Sequence, residues 1–168
     1  IRSLFDIPEV EQRKIPPHAG NTTDALARIG YEIEASLADL VDNSIDANAK
    51  NVLIRFYFTA TSVERVAIVD DGHGISSENF DLAMQLGAET QHKPTDLGKF
   101  GVGLKTASFS QCNSLSVLSR VKSAFDGRRL TMESMDNDWS CYVLGPQQVR
   151  RFMTQDWGDV NVTRSGTV

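Results

Sequence analysis

Apolar residues recur with two different periods along this chain, and together these periods predict an ordered series of helices and strands. Asn21-Thr22-Thr23-Asp24 offers N-cap side chains for a first helix that continues to about Ala47. The apolar residues of this helix share one side: Leu26, Ile29, Ile33, Leu37, Leu40, Val41 and Ile45. Residues of one apolar face recur at every second position in Lys50–Phe58, which predicts a strand, and a second strand is predicted at Arg65–Asp70. The apolar face of the first strand consists of Val52, Ile54, Phe56 and Phe58.

The rest of the chain adds two helices and then changes to strands. We predict a short helix capped by Ser76 or Ser77 and ending at Leu86, a mobile loop over 88–97, and a loop entering a helix over 98–110. The predicted later strands are Ser114–Lys122, Arg128–Met135, Trp139–Leu144 and Asn161–Val168. This order predicts an α+β, two-layer sandwich with helices on one face of a mixed, largely antiparallel sheet.

Composition and charge narrow the class of protein. With 168 residues, 40% of them hydrophobic, one domain with a packed core is expected. The net charge of −5 disfavours direct nucleic-acid binding by this domain, and Arg128-Arg129 and Arg150-Arg151 are interpreted as solvated strand or loop edges. No apolar run approaches the roughly 20 residues that span a bilayer. Cys112 and Cys141 lack metal-ligand spacing, and two thiols in a chain of this size do not make a disulfide scaffold. A reducing compartment fits best, so we expect a cytoplasmic protein.

The predicted domain occupies residues 21–168, and it follows an irregular arm at 1–20. Proline and glycine at Pro8, Pro16, Pro17 and Gly20 interrupt regular structure in the arm, which we expect to pack on the domain or on a partner. Because the chain stops within a predicted strand, we expect the natural domain to continue past its C-terminus.

The first helix carries a polar cluster that has the composition of a metal and phosphate site. Asp39, Asp42, Asn43 and Asp46 fall within an arc of roughly 100°, opposite the apolar residues. Carboxylates one turn apart repel, and a bound Mg²⁺ relieves that repulsion. Asn43 can supply one oxygen ligand, while Asp39, one turn earlier, can activate a water near a γ-phosphate. The competing interpretation is a solvated polar helix face.

Two glycine-bearing loops add further candidate chemistry. Asp70-Asp71-Gly72-His73-Gly74 ends an apolar strand, where a carboxylate can accept a hydrogen bond from an exocyclic amine such as that of adenine. A plain turn is the alternative, and a calcium loop is disfavoured because EF-hand spacing is absent. Gly98-Lys99-Phe100-Gly101-Val102-Gly103 precedes a helix start near Leu104, where backbone N–H groups bind anions. This run is neither a Rossmann fingerprint nor a Walker motif.

These three segments resemble the N, G1 and G2 boxes of the GHKL superfamily, and Ser165–Val168 is similar to its later Gly-Thr strand. The superfamily includes gyrase B subunits, heat-shock chaperones of ninety kilodaltons, MutL repair proteins, MORC ATPases and histidine kinases. The glycine run looks closest to chaperone- and MORC-like members. The resemblance covers Ile29 to the C-terminus and implies the Bergerat α/β sandwich.

The resemblance also implies a role for each matching residue. Asn43 would hold Mg²⁺ that bridges the phosphates, and Asp70 would bind the adenine amine with support from Gly74 and Thr167. The residues implied to line the pocket are Asp46, Ala47, Ile75 and Met84. The residues implied to contact phosphate are Gly98, Lys99, Phe100, Gly101, Val102, Gly103, Leu104 and Lys105. Residues 87–100 would form a lid over ATP.

The function implied is Mg²⁺-dependent ATP binding and slow hydrolysis that drive lid closure and a conformational or dimerisation switch. Asp39 stands where the ATPase branches usually carry a longer Glu, so hydrolysis is expected to be slow. Three alternatives stay open: a nucleotide-binding module without hydrolysis, a protein kinase of the histidine-kinase or anti-sigma type, and a domain without ligand. A homodimer and a DNA-linked role of the full protein are expected only by analogy with relatives.

Overall fold

The computed structural model describes residues 32–85, 103–138, 140–157 and 165–168. The helices within these ranges are α1 (Ile33–Asp46), α2 (Ser77–Met84), α3 (Gly103–Phe109), α4 (Met132–Asp138) and α5 (Pro146–Trp157). The strands are β1 (Val52–Phe58), β2 (Val63–Asp70), β3 (Ser114–Val121), β4 (Ala124–Thr131), β5 (Tyr142–Val143) and β6 (Ser165–Thr167). Among the described helices, none combines the length and apolar character needed to cross a bilayer.

The six described strands form one antiparallel sheet in the order β1-β2-β6-β3-β4-β5. Two local hairpins, β1-β2 and β3-β4, are joined through β6, the last strand in the sequence. Thr167 of β6 pairs with Asp70 of β2 on one side and with Ser119 of β3 on the other. Directly opposed residues share a face of the sheet. Asp70, Thr167 and Ser119 therefore form one row across its centre.

Apolar clusters lie on both faces of the sheet. The first contains Phe80, Met84, Phe109, Val117, Leu130 and Met135, which come from α2–α4 and the strands beneath them. The second contains Leu118 of β3 with Val149 and Met153 of α5. Val117 and Leu118 are successive strand residues and point to opposite faces. The predicted α+β class is confirmed, while α5, which was not predicted from the sequence, adds a helix on the second face.

The strand following the β3-β4 turn ends earlier than predicted. Sequence analysis extended it to Met135, but α4 begins at Met132. The Thr131 side chain accepts a hydrogen bond from the Ser134 N–H at 3.1 Å, and the Ser134 hydroxyl oxygen accepts one from the Thr131 N–H at 3.0 Å. This reciprocal capping converts the apparent strand into a helix start. The predicted strand Trp139–Leu144 is reduced to Tyr142–Val143 for its described part.

The burial of α1 differs from the expected apolar side. Ile33 and Ile45 are 42% and 55% exposed, whereas Ser36 and Ser44 are buried. Ser36 Oγ lies 3.2 Å from Ser110 Oγ, so α1 packs beside α3 through small hydroxyl side chains. On a helical wheel the buried centre is rotated by roughly 60° from the apolar side toward the polar cluster. The apolar residues share one side as predicted, but the two at the ends of the described helix, Ile33 and Ile45, are not buried.

Several predicted features lie outside the described residues. These are the arm at 1–20, the start of the first helix, the lid at 87–100 and the glycine run at 98–102.

A further difference concerns the cap of α2. Ser76 occupies the N-cap position, but its side chain makes no capping hydrogen bond. The interpretation of the arginine pairs as solvated edges is correct only in part: Arg129, Arg150 and Arg151 are exposed, but Arg128 is 7% exposed and Arg150-Arg151 lies within α5.

Candidate functional site

A buried carboxylate lies at the end of β2. Asp70 is 5% exposed, its Oδ1 accepts the Gly72 N–H at 2.8 Å, and its Oδ2 accepts the Ser44 hydroxyl at 3.3 Å. Burial raises the pKa of Asp70, against the opposing effect of hydrogen bonds from Gly72, Ser44 and the Thr167 N–H. Two carboxylate oxygens offer about four acceptor positions. Asp70 thus retains capacity for a further donor while its orientation is fixed from α1 and the loop.

The neighbouring aspartate has a different role. Asp71 Oδ1 accepts the N–H groups of Lys50 and Asn51 at 2.7 and 2.8 Å, and Oδ2 accepts the Asn51 side-chain amide at 2.8 Å. Burial acts to raise the pKa of Asp71, but these hydrogen bonds outweigh it and lower the pKa. Asp71 therefore ties the loop to the entry of β1, and Asp70 is the aspartate available to a ligand.

Close backbone approaches require both glycines of this loop. A Cβ on Gly72 would lie 2.8 Å from both Cβ and the carbonyl oxygen of Ala47, and the His73 N–H donates to that same carbonyl at 3.0 Å. Gly74 has φ +71°, and a Cβ there would lie 2.6 Å from the Arg120 carbonyl oxygen. The loop is thereby held between the end of α1 and β3.

Ser119 is a component of the site that sequence analysis missed. It is 1% exposed, and its Oγ accepts the Ile75 N–H at 2.7 Å and donates to the Gly166 carbonyl at 3.1 Å. It therefore joins the Gly74-Ile75 segment to β6, which carries Thr167. The only sequence signal for this role is a serine within an otherwise apolar strand. Whether that serine faces the site depends on the strand register.

Helix α1 presents the predicted metal-binding residues next to this loop. Asn43 precedes Ser44, which bonds to Asp70, and the exposed Asn43 amide has no hydrogen-bond partner within the described residues. Asp39 is half-buried one turn earlier, and Asp46 is the last, exposed residue of the helix. The last turn contains no basic side chain. Negative charge at a helix C-terminus adds to that of the carboxylates, so these residues suit a cation.

The start of α3 holds a buried lysine. Lys105 is 3% exposed, its Nζ donates to the Ala83 carbonyl of α2, and burial lowers its pKa to about 8. Gly103 is exposed with open space around its Cα, and Leu104 packs against the first core cluster. Reaching a phosphate would require the Lys105 ammonium to leave Ala83. Met84, predicted to line the pocket, lies within the first core cluster at 6% exposure.

A cavity of about 540 Å³ extends from this loop along α2. Its lining residues include Gly74 and Ile75 of the loop, Asn79 and Ala83 of α2, and Val121 of β3. Hydrogen bonds and strand pairing bring six residues together beside this cavity, around one loop and the end of β2: Ser44, Ala47, Asp70, Gly74, Ile75 and Thr167.

A purine nucleotide matches this arrangement, because a fixed carboxylate at a strand end accepts an amine and an adjoining helix can hold the metal of the phosphates. The sequence matches the family described as Histidine kinase-, DNA gyrase B-, and HSP90-like ATPase over residues 31–167. The chain therefore belongs to this family, and ATP binding is the property that membership implies.

Similar curated proteins include the DNA mismatch repair protein MutL of two Caulobacter vibrioides strains, NA1000 / CB15N and ATCC 19089 / CIP 103742 / CB 15. Each is 25% identical over 130 residues, which cover 72% of this chain and 20% of the relative. The chain thus spans about a fifth of the length of these relatives.

Proposed function

We propose that this chain binds ATP with Mg²⁺ and hydrolyses it slowly, and that binding drives closure of residues 87–100 and a conformational or dimerisation switch. The observation that carries the proposal is Asp70, a buried carboxylate that accepts from Gly72, Ser44 and the Thr167 N–H and still has acceptor capacity left over. Retaining a buried charge costs stability, which is typical of a group kept for binding.

Adenine recognition rests on the row across the sheet centre. Asp70 accepts the exocyclic amine, while Thr167, its direct cross-strand neighbour, supports the same edge of the base. Ser119 holds the Ile75 N–H and the Gly166 carbonyl in place from behind. Specificity for adenine follows because an oxo group at the same position would face a carboxylate oxygen and no donor.

Phosphate binding rests on the end of α1. Asn43 supplies its amide oxygen to Mg²⁺, and Asp39, Asp42 and Asp46 with the helix C-terminus favour a cation there. When bound, Mg²⁺ neutralises charge on the phosphate oxygens. Residues 98–102 and Lys105 complete the phosphate contacts, with Lys105 exchanging the Ala83 carbonyl for a phosphate oxygen.

Asp39 is the proposed general base. It is half-buried and lies one turn before Asn43 on the same side of α1, so its carboxylate can accept a proton from water beside the γ-phosphate. Aspartate is one methylene shorter than glutamate, which lengthens the path to that water. This difference also favours the second candidate function, a nucleotide-binding module in which ATP occupancy alone is the signal.

The branch of the family and the biological process are further parts of the proposal. The glycine run resembles chaperone- and MORC-like members, whereas the curated relatives reported above are MutL proteins. Both MORC and MutL similarity support a DNA-linked role for the protein that contains this domain.

The test is calorimetric titration with ATP, with and without Mg²⁺, followed by measurement of phosphate release. Asn43→Ala should abolish the Mg²⁺-dependent part of binding, and Asp39→Ala should abolish turnover while sparing binding. Glu34→Ala is the matched control, because it removes an exposed carboxylate from the first turn of the same helix, where no role is proposed. Turnover unchanged in Asp39→Ala would reject the base. Tight binding without turnover in the unsubstituted chain would establish the second candidate.

A further inference from the structure

The cavity beside the nucleotide loop is lined along its length by a single side of α2. Ser76, Asn79 and Ala83 recur at spacings of three and four residues, so they share that side of the helix. Phe80 and Met84 point instead into the first core cluster. Core packing therefore fixes α2, and with it the wall that α2 presents to a ligand.

Two polar side chains of this wall have hydrogen-bonding capacity that the described residues do not use. His73 Nδ1 lies 2.7 Å from the Gly74 carbonyl oxygen. A carbonyl oxygen only accepts, so Nδ1–H is the donor, and Nε2 of the neutral ring remains an acceptor. The Asn79 side-chain amide makes no hydrogen bond within the described residues. The wall thus offers an unused ring nitrogen and an unused amide.

The rest of the described lining favours a group with carbon-rich faces. It consists of Gly74, Ile75, Ser76, Leu82, Ala83 and Val121. The Ser76 Oγ is buried within the wall and has no hydrogen-bond partner among the described residues, so it is not presented to the cavity. No lysine or arginine belongs to the described lining, which makes it a poor place for a phosphate. The combination suits a neutral group that carries a few hydroxyls.

The cavity also lies between the positions proposed for the base and for the phosphates. At one end, the Ile75 N–H donates at 2.7 Å to Ser119, which belongs to the same row as Asp70. At the other end, the Ala83 carbonyl accepts the Lys105 ammonium at the start of α3. In a nucleotide, the group that joins the base to the phosphates is the ribose, a neutral ring with two adjacent hydroxyls.

We propose that His73 and Asn79 bind the ribose hydroxyls of ATP and thereby select ribonucleotides over deoxyribonucleotides. The inference rests on the ATP binding proposed above. One hydroxyl donates to Nε2 of His73, and the adjacent hydroxyl bonds to the Asn79 amide, which offers both a donor and an acceptor. Leu82 and Val121 contact the carbon face of the sugar. The base is then recognised at Asp70 and the sugar at α2, by separate groups.

The size of the expected preference follows from the exposure of the two side chains. A hydrogen bond between neutral groups changes affinity by about three- to tenfold. His73 and Asn79 are both exposed, so water replaces a missing hydroxyl and no buried group is left unsatisfied. We therefore expect 2′-deoxyATP and 3′-deoxyATP each to bind about three- to tenfold more weakly than ATP.

The experiment is calorimetric titration of ATP, 2′-deoxyATP and 3′-deoxyATP, all with Mg²⁺, into the unsubstituted protein, His73→Phe and Asn79→Ala. Removing a side chain and removing its hydroxyl partner delete the same bond, so the two changes form a double-mutant cycle. Each variant should bind ATP more weakly and should lose the preference for one hydroxyl, which brings one deoxynucleotide within about twofold of ATP.

Two further variants control for indirect effects. Ser76→Ala removes a hydroxyl from the same side of α2 that is not presented to the cavity, so it should keep both preferences. Asn43→Ala should weaken all three nucleotides by the same factor, because the metal contact does not involve the sugar. Melting temperatures verify that each variant retains the fold.

The possible failures of this inference and of ATP binding give different results. Equal binding of the three nucleotides by the unsubstituted protein would overturn the ribose assignment alone and leave ATP binding in place. Preferences that persist in both His73→Phe and Asn79→Ala, or that disappear equally in Ser76→Ala, would also overturn the assignment. Absence of binding by all three nucleotides would overturn the proposed ATP binding and the ribose assignment with it.

Discussion

Replacing Lys105 with methionine is expected to stabilise the fold at neutral pH. The Lys105 ammonium is buried between α3 and α2, where it donates to the Ala83 carbonyl. Burial removes its hydration and lowers its pKa from 10.5 to about 8. Methionine has nearly the same length and no charge, so Lys105→Met removes the cost of desolvation while filling the same space.

The magnitude follows from the pKa. The interval from 10.5 to about 8, at about 1.4 kcal/mol per pH unit, corresponds to about 3 kcal/mol of lost stability at pH 7. Losing the hydrogen bond to Ala83 offsets about 1 kcal/mol, so we expect a net gain of about 2 kcal/mol. Between pH 8 and 10.5 the unfolded chain binds more protons at Lys105 than the folded chain. The stability of the unsubstituted protein therefore rises with pH there, and the advantage of methionine shrinks.

The assay is urea unfolding of both proteins at half-unit steps from pH 7 to 10. Lys50→Met is the matched control, since Lys50 is exposed and its replacement should change stability by less than about 0.5 kcal/mol. A Lys105→Met protein that is less stable at pH 7, or a difference that stays constant up to pH 10, would refute the reasoning. Weaker ATP binding by the more stable variant would support a phosphate contact for Lys105.

Three further substitutions test the packing around the site. Gly74→Ala should cost at least about 2 kcal/mol in urea unfolding, because its positive φ and the backbone contact both oppose a Cβ. Ser119→Ala should cost about 1–3 kcal/mol by leaving the Ile75 N–H buried without an acceptor, and ATP affinity should fall with it. Arg128→Met should cost about 2 kcal/mol at pH 7. Burial acts to raise the pKa of Asp126, but its hydrogen bonds and the charge of Arg128 outweigh burial and lower the pKa. The cost of Arg128→Met should therefore shrink as acid protonates Asp126.

The sequence predicts those parts of the site that depend on local pattern. An apolar run followed by Asp-Asp-Gly predicts a strand end carrying a carboxylate, and the structure has Asp70 there. The i, i+4 spacing of Asp39 and Asn43 predicts one helix side, and α1 contains both. Local pattern does not distinguish Asp70 from Asp71, because that difference depends on which of them faces Ser44 and which faces Asn51.

Features that depend on contacts distant in sequence were missed. Sequence analysis counted Ile45 among the apolar residues of α1 and gave Ser44 no role, but Ile45 is 55% exposed. In the structure Ser44 is buried because its small hydroxyl side chain fits against β2 and bonds to Asp70, 26 residues away. Helix α5 was missed because its buried residues, Val149 and Met153, have mostly polar neighbours in the sequence: Gln147, Gln148, Arg150, Arg151 and Thr154. Arg128 looked solvated because its partner Asp81 is 47 residues away.

The nucleotide site depends on a strand that neither hairpin supplies. The β1-β2 and β3-β4 hairpins are formed by neighbouring segments, whereas β6 must dock between them before Thr167 can adjoin Asp70. Val168 and Leu118 exchange backbone hydrogen bonds of 2.7 and 2.8 Å, which tie β6 to β3 next to Ser119. A ligand held by Asp70 and Thr167 binds only the docked state, so it stabilises docking by mass action. ATP binding and closure of the sheet centre are therefore expected to be coupled, and amide exchange at Val168 should slow when ATP is bound.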